Sequence, residues 1–142
     1  MPIQNTAYLS VKPELQKIAW EIMIKLEEKG YKPTVAQGLR TATEEAAHVA
    51  NGTSQTLQSY HCLGLAVDIV DEKLLWNIPT VHQFWWDYYQ IASSIVVSSG
   101  HLRYGIIWDH PERIAEYKKA LDAGIKTVPW FADVAHIELH LP

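Results

Sequence analysis

The chain has a single cysteine, Cys62, in 142 residues. One thiol excludes an internal disulfide framework and any cysteine-rich structural metal site, so a bound metal must rely on histidine and carboxylate side chains. Positive charge is also scarce: 12 Lys and Arg face 16 Asp and Glu, for a net charge of -4 and a pI near 5.9. No basic stripe is present for a phosphate backbone, which argues against nucleic acid as a partner. No run approaches the roughly 20 apolar residues that span a bilayer, so membrane insertion is not expected. The N-terminus lacks a basic segment followed by an apolar one, which reads as no secretion signal and synthesis in the cytoplasm. Repeats, low-complexity tracts and linker-like runs are missing too, leaving one domain over residues 1–142, expected as a monomer, with the first nine or ten residues as a loose arm.

What is present is helical periodicity broken by short apolar strands. Pro13 suits a helix start, and Leu15, Ile18, Ala19, Ile22 and Leu26 recur at helical spacing before Gly30 closes the segment. Thr41 with Glu44 forms a capping box for a short helix through Val49 that ends at Asn51-Gly52. Leu65 to Val70 is apolar and β-branched around Asp68, which predicts a buried strand. Thr80 with Gln83 reads as a second capping box, opening a helix with Phe84, Tyr88, Ile91 and Ile95 inward, running to about Ser98 and stopped by Gly100. Pro111 opens a further helix with Ile114, Tyr117 and Leu121 inward and Gly124 as its stop, and His136 to Leu139 reads as a final strand. Helices interleaved with a few short strands make an α+β domain.

The chemistry sits in Ser59-Tyr60-His61-Cys62-Leu63-Gly64-Leu65-Ala66-Val67-Asp68. A turn at Gly64 between a loop histidine and a strand aspartate folds His61 and Asp68 toward one point, as two metal ligands require. His136, on a strand near the C-terminus with Asp133 three residues before it, supplies a third. Two histidines and a carboxylate are a standard catalytic zinc set that leaves a fourth position for water. Asp133 is then the free carboxylate that takes the water's proton and passes it to the leaving amine. Arg40 and Ser59 are candidates for gripping a substrate carbonyl or carboxylate.

These residues resemble the zinc metallopeptidases that include D-alanyl-D-alanine carboxypeptidases and the L-alanyl-D-glutamate endopeptidases of bacteria and phage endolysins. The pattern Ser-x-His-x6-Asp, a later acidic residue before a final His and an upstream Arg is met by Ser59, His61, Asp68, Asp133, His136 and Arg40. The resemblance extends to Gly38-Leu39-Arg40-Thr41, to the Asn51-Gly52-Thr53-Ser54 turn and to Trp130. It implies a small antiparallel sheet flanked by helices, as in the hedgehog signalling domain, a zinc cofactor and the stem peptide of peptidoglycan as substrate. Asp133 and the His-Ile-Glu-Leu run resemble the L-alanyl-D-glutamate branch, whereas the carboxypeptidases carry Glu-x-x-His at that point. Where this branch has a glycine pair followed by Trp, the chain has Gly105-Ile106 and Trp108, a departure that bears on substrate specificity. An enzyme without a secretion signal would need another device, such as a phage-encoded pore, to reach the wall.

Two other readings share the scaffold: a D-Ala-D-Ala carboxypeptidase, and a wall-binding or virion module that keeps the metal without catalysis. His140 follows His136 by four residues, but Ile137 stands where a helical His-Glu-x-x-His motif requires glutamate. Glu138 is either an orienting partner of His136 or a solvated side chain. His48, His82, His101 and His110 read as ordinary core or surface residues, Cys62 as a packed free thiol, and Trp76, Trp108 or Trp130 as possible groove walls.

Overall fold

The computed structural model describes residues 1–52 and 59–142. Thr53 and Ser54 of the expected turn lie outside that range. Four strands, β1 (Pro33–Gln37), β2 (Ala66–Asp71), β3 (His101–Tyr104) and β4 (His136–His140), form one sheet in the order β1-β2-β4-β3. Every neighbouring pair is antiparallel. The helices are α1 (Thr6–Leu9), α2 (Pro13–Glu28), α3 (Ala42–Ala50), α4 (Gln83–Ser94) and α5 (Arg113–Asp122), with a 3-10 turn at Tyr60–Leu63. The α+β class and the small antiparallel sheet are as the sequence and its resemblance implied.

The strand pleat sorts side chains by position. Val67, Ile69, Ile137 and Leu139 join Leu15, Ile22 and Leu26 of α2 and Phe84, Tyr88 and Ile91 of α4 in one core. The intervening residues Asp68, His136 and Glu138 are buried polar groups at alternate positions of β2 and β4. Tyr88 ties the two sides together, its hydroxyl donating to the Ala135 carbonyl at 2.9 Å, just before His136. Among the described residues no helix is long and apolar enough to cross a membrane.

Three expectations change. The first ten residues are docked, not loose: Asn5 caps α1 by accepting from the Tyr8 N–H at 2.8 Å and donates to the Val35 carbonyl at 2.9 Å. Tyr8 is buried edge-on against Trp20. A four-residue helix carries too little periodicity to be read in advance. Helix α4 is capped by His82, whose ring Nδ1 accepts from the Phe84 N–H, so Thr80 and Gln83 form no capping box. It ends at Ser94 because Ile95 is extended. Strands β1 and β3 had no periodic signal, being five and four residues long with mixed burial.

Candidate functional site

Local chemistry places His61. Ser59 caps the 3-10 turn by accepting from the His61 N–H at 3.1 Å, and Gly64 closes it at φ 68, the left-handed conformation that favours glycine. The chain then enters β2, which carries Asp68 directly across from His136 of β4. His61 Nε2 lies 3.3 Å from Asp68 Oδ1, His136 Nδ1 lies 3.4 Å from the same oxygen, and the two imidazole nitrogens are 3.2 Å apart. All three residues are buried.

The outer edges of the rings decide what the inner edges can do. His61 Nδ1 is 2.8 Å from the Gly38 carbonyl, and His136 Nε2 is 2.7 Å from a carboxylate oxygen of Glu138. Both outer nitrogens therefore act as N–H donors, which leaves lone pairs on the two inner nitrogens. Asp68 Oδ1 is buried and makes no hydrogen bond among the described residues. Three electron-pair donors thus converge within 3.4 Å of one another. A tetrahedral ion with bonds of about 2.0–2.1 Å has ligand-to-ligand edges of about 3.3 Å, which the three measured separations match. The buried His-Asp-His group fits a divalent metal ion.

The ion-free charge balance shows the same demand. Burial would depress the His136 imidazolium, but the close approach of Asp68, the hydrogen bond to Glu138 and the charge of Asp133 outweigh that and lift its pKa to about 10. Burial would raise Asp68, yet the adjoining imidazoles of His61 and His136, whenever they carry a proton, hold it well below the usual carboxylate range. Glu138 is lowered as well, burial being overcome by His136 and His140. The site draws positive charge.

A groove of about 970 Å³ opens beside this cluster. Asp133 lines it with Oδ2 3.7 Å from His136 Nδ1, outside the ligand group. Burial, together with the Asp68 charge and against the pull of His136, His61 and Arg40, pushes its carboxyl up to about 6. Gly105 makes room for this residue: a Cβ there would meet the Asp133 carbonyl oxygen at 2.1 Å. Arg40 and Ser59 also line the groove. Arg40 is held by Glu45 at 2.5 Å and by Gln37, and its backbone N–H binds the His61 carbonyl at 3.0 Å.

Of the tryptophans singled out, Trp76 and Trp108 wall the groove, whereas Trp130 packs against the core and donates to the Ile106 carbonyl at 2.9 Å. Glu138 is buried and orients His136, which resolves that alternative. Sequence reasoning missed Arg103, His48 and His110 in the groove wall, and Glu45 as the buried partner of Arg40. The spacing of Glu45 five residues after Arg40, on the buried side of a capped helix, was the one available signal for the last.

Residues 4–139 match the family model described as phage L-alanyl-D-glutamate peptidase. The chain belongs to that family. Among curated members, the L-alanyl-D-glutamate peptidase of Escherichia phage T5 is 39% identical over 82 residues, 54% of this chain and 56% of that protein. That of Listeria phage A118 is 40% identical over 47 residues, 33% of this chain and 17% of that protein. The similarity thus spans little more than half of the first relative and a small part of the second. Among solved structures, the Serratia marcescens L-Ala D-Glu endopeptidase ChiX superposes with a TM-score of 0.59 at 19% identity, over 94% of this chain and 84% of that one, and shares the fold.

Proposed function

We propose that this protein is a zinc-dependent endopeptidase that cuts the L-alanyl-D-glutamate bond of the peptidoglycan stem peptide. The observation that carries the reading is the convergence of His61 Nε2, Asp68 Oδ1 and His136 Nδ1 within 3.2–3.4 Å of one another, with both outer ring nitrogens already committed. Two imidazoles and one carboxylate at tetrahedral separations suit zinc better than magnesium or calcium, which take all-oxygen sets. Bound zinc acts as a Lewis acid and lowers the pKa of water toward about 7.

The chain's own groups supply the remainder. Asp133 sits at the groove edge of the cluster, where it takes a proton from the attacking water and delivers it to the leaving nitrogen. Arg40 keeps N–H donors beyond those bound by Glu45 and Gln37, and the Ser59 hydroxyl, whose oxygen accepts from His61, keeps its own proton to donate. Both can hold a substrate carbonyl in the groove. The test is digestion of purified wall sacculi by the zinc-loaded protein, followed by mass spectrometry. New alanyl carboxyl and glutamyl amino ends that vanish with chelator support the reading. Release of free D-alanine would assign the carboxypeptidase activity, and zinc-bound protein inert on every wall type would leave a binding module.

A further inference from the structure

The alanyl-glutamate reading leaves one feature of the substrate without a partner. The residue that keeps the scissile nitrogen is acidic, so a free carboxylate enters the groove on the leaving side. Arg40 is already paired with Glu45 at 2.5 Å. A second guanidinium, Arg103 on β3, stands across from Glu138 and lies over the face of Trp108, with Cζ 4.7 Å from the ring centre. Trp108 in turn packs 5.3 Å, ring to ring, from the metal-cluster histidine His136. The cation is therefore one indole away from the reacting centre.

Two independent observations mark Arg103 as poised for a ligand. Its buried Nε–H lies 3.0 Å from Asp109 Oδ2 but makes no aligned hydrogen bond among the described residues, and Asp109 is 74% exposed. Glu138 is 3.8 Å away with both carboxylate oxygens already taken by His136 and His140. The platform under the cation is also held in an unfavourable backbone conformation: Trp108 has φ 50, fixed by its N–H to the Tyr104 carbonyl at 2.7 Å and its indole N–H to the Phe131 carbonyl at 3.1 Å. A bulky residue kept in the left-handed region signals a constraint imposed by the surroundings, which here orients a planar fork toward the groove.

Resting on the proposed alanyl-glutamate specificity, we infer that Arg103, stacked on Trp108, is the specificity-determining clamp for the free carboxylate of the glutamyl residue beside the scissile nitrogen. The guanidinium offers a two-pronged site for that group, and the exposed Asp109 is the counter-ion it displaces.

The test compares a synthetic stem peptide bearing the free glutamyl carboxylate with the same peptide bearing a carboxamide there. Zinc-loaded wild type should favour the acid by about tenfold or more in kcat/KM. In Arg103→Gln the preference should shrink to within about twofold, through KM and not kcat, and Arg103→Lys should recover part of it. Asp109→Asn, at an exposed position that spares the fold, should lower KM for the acid alone. Persistence of the preference in Arg103→Gln, or an unchanged acid-to-amide ratio in Asp109→Asn, overturns the clamp. If wild type cleaves both peptides equally, the clamp is wrong and the endopeptidase reading stands. If it cleaves neither with zinc bound, the endopeptidase reading falls and takes the clamp with it.

Discussion

Asp68 and His136 face each other across adjacent antiparallel strands, carboxylate oxygen to ring nitrogen at 3.4 Å, so two of the three members of the buried His-Asp-His group are set by sheet register alone. Only His61 is brought in by a turn, and that turn is closed by Ser59 and Gly64. The cluster is thus anchored mainly in rigid structure, as a preformed ion site requires.

Removing a ligand should cost both metal and stability. His61→Ala should lose stoichiometric zinc, and its melting temperature should no longer respond to chelator, whereas the wild type should fall by on the order of 10 °C when stripped. Metal analysis alongside calorimetry checks this; full occupancy in the variant would contradict the ligand assignment.

Asp133→Asn should retain zinc while kcat falls by about 10²–10⁴-fold, because the proton carrier is lost and the ion site is not. In the wild type the carboxyl is pushed up to about 6 by burial and by Asp68, and the proposed base would work as the carboxylate. Activity should therefore drop as pH falls through that value, or through a lower one once a bound cation favours ionisation. A pH profile of kcat/KM on a defined peptide measures the limb.

The outer partner of His136 should tune affinity without touching the ion. Glu138→Gln keeps shape but weakens the hold on the ring N–H, and zinc affinity measured against a competing chelator should fall by about 10–100-fold. An affinity equal to wild type would mean that Glu138 serves His140 and Arg103 instead.

Gly105 is a place where space, not charge, matters. In Gly105→Ala the added methyl collides with the Asp133 carbonyl oxygen at 2.1 Å and its Cβ at 3.0 Å, so the segment bearing Asp133, the proposed base, must shift. Turnover should drop by about 10²-fold with zinc content unchanged, since small displacements of a catalytic group are costly.

Alkaline stability should report Tyr117. Its buried hydroxyl donates to the Thr80 carbonyl at 2.7 Å and accepts from the His82 N–H at 3.1 Å, and burial, partly opposed by the His82 hydrogen bond, pushes its pKa up to about 12. The unfolded chain loses this proton near pH 10 and the folded one near 12, so between those values the native state binds more protons and stability falls as pH rises. Denaturation midpoints from pH 9 to 12 should decline less steeply in Tyr117→Phe.

That His61, Asp68 and His136 come together was legible in the sequence because the signals are local: a loop histidine, a glycine and a strand aspartate within ten residues, then a histidine in a C-terminal strand. Helices α2 and α3 were legible for similar reasons, from the Pro13 start and the Thr41-Glu44 capping box. Arg103 was not legible. It sits on a four-residue strand with no periodic pattern, and it gains meaning only from Glu138 across the sheet and Trp108 beneath it. The N-terminal arm failed for the same physical reason, since the burial of Tyr8 depends on Trp20 and on Asn5 reaching Val35.

The alternation along β4 has a consequence for how this protein can vary. His136, Glu138 and His140 carry a buried polar network while Ile137 and Leu139 fill the core, so both are read in one frame. Inserting or deleting a single residue within the strand would exchange the two sets, driving imidazoles into the hydrocarbon interior and isoleucine toward Asp68. A change of length is therefore tolerable in the connections and not within β4, because the pairing that fills the core is the same pairing that sets His136 opposite Asp68.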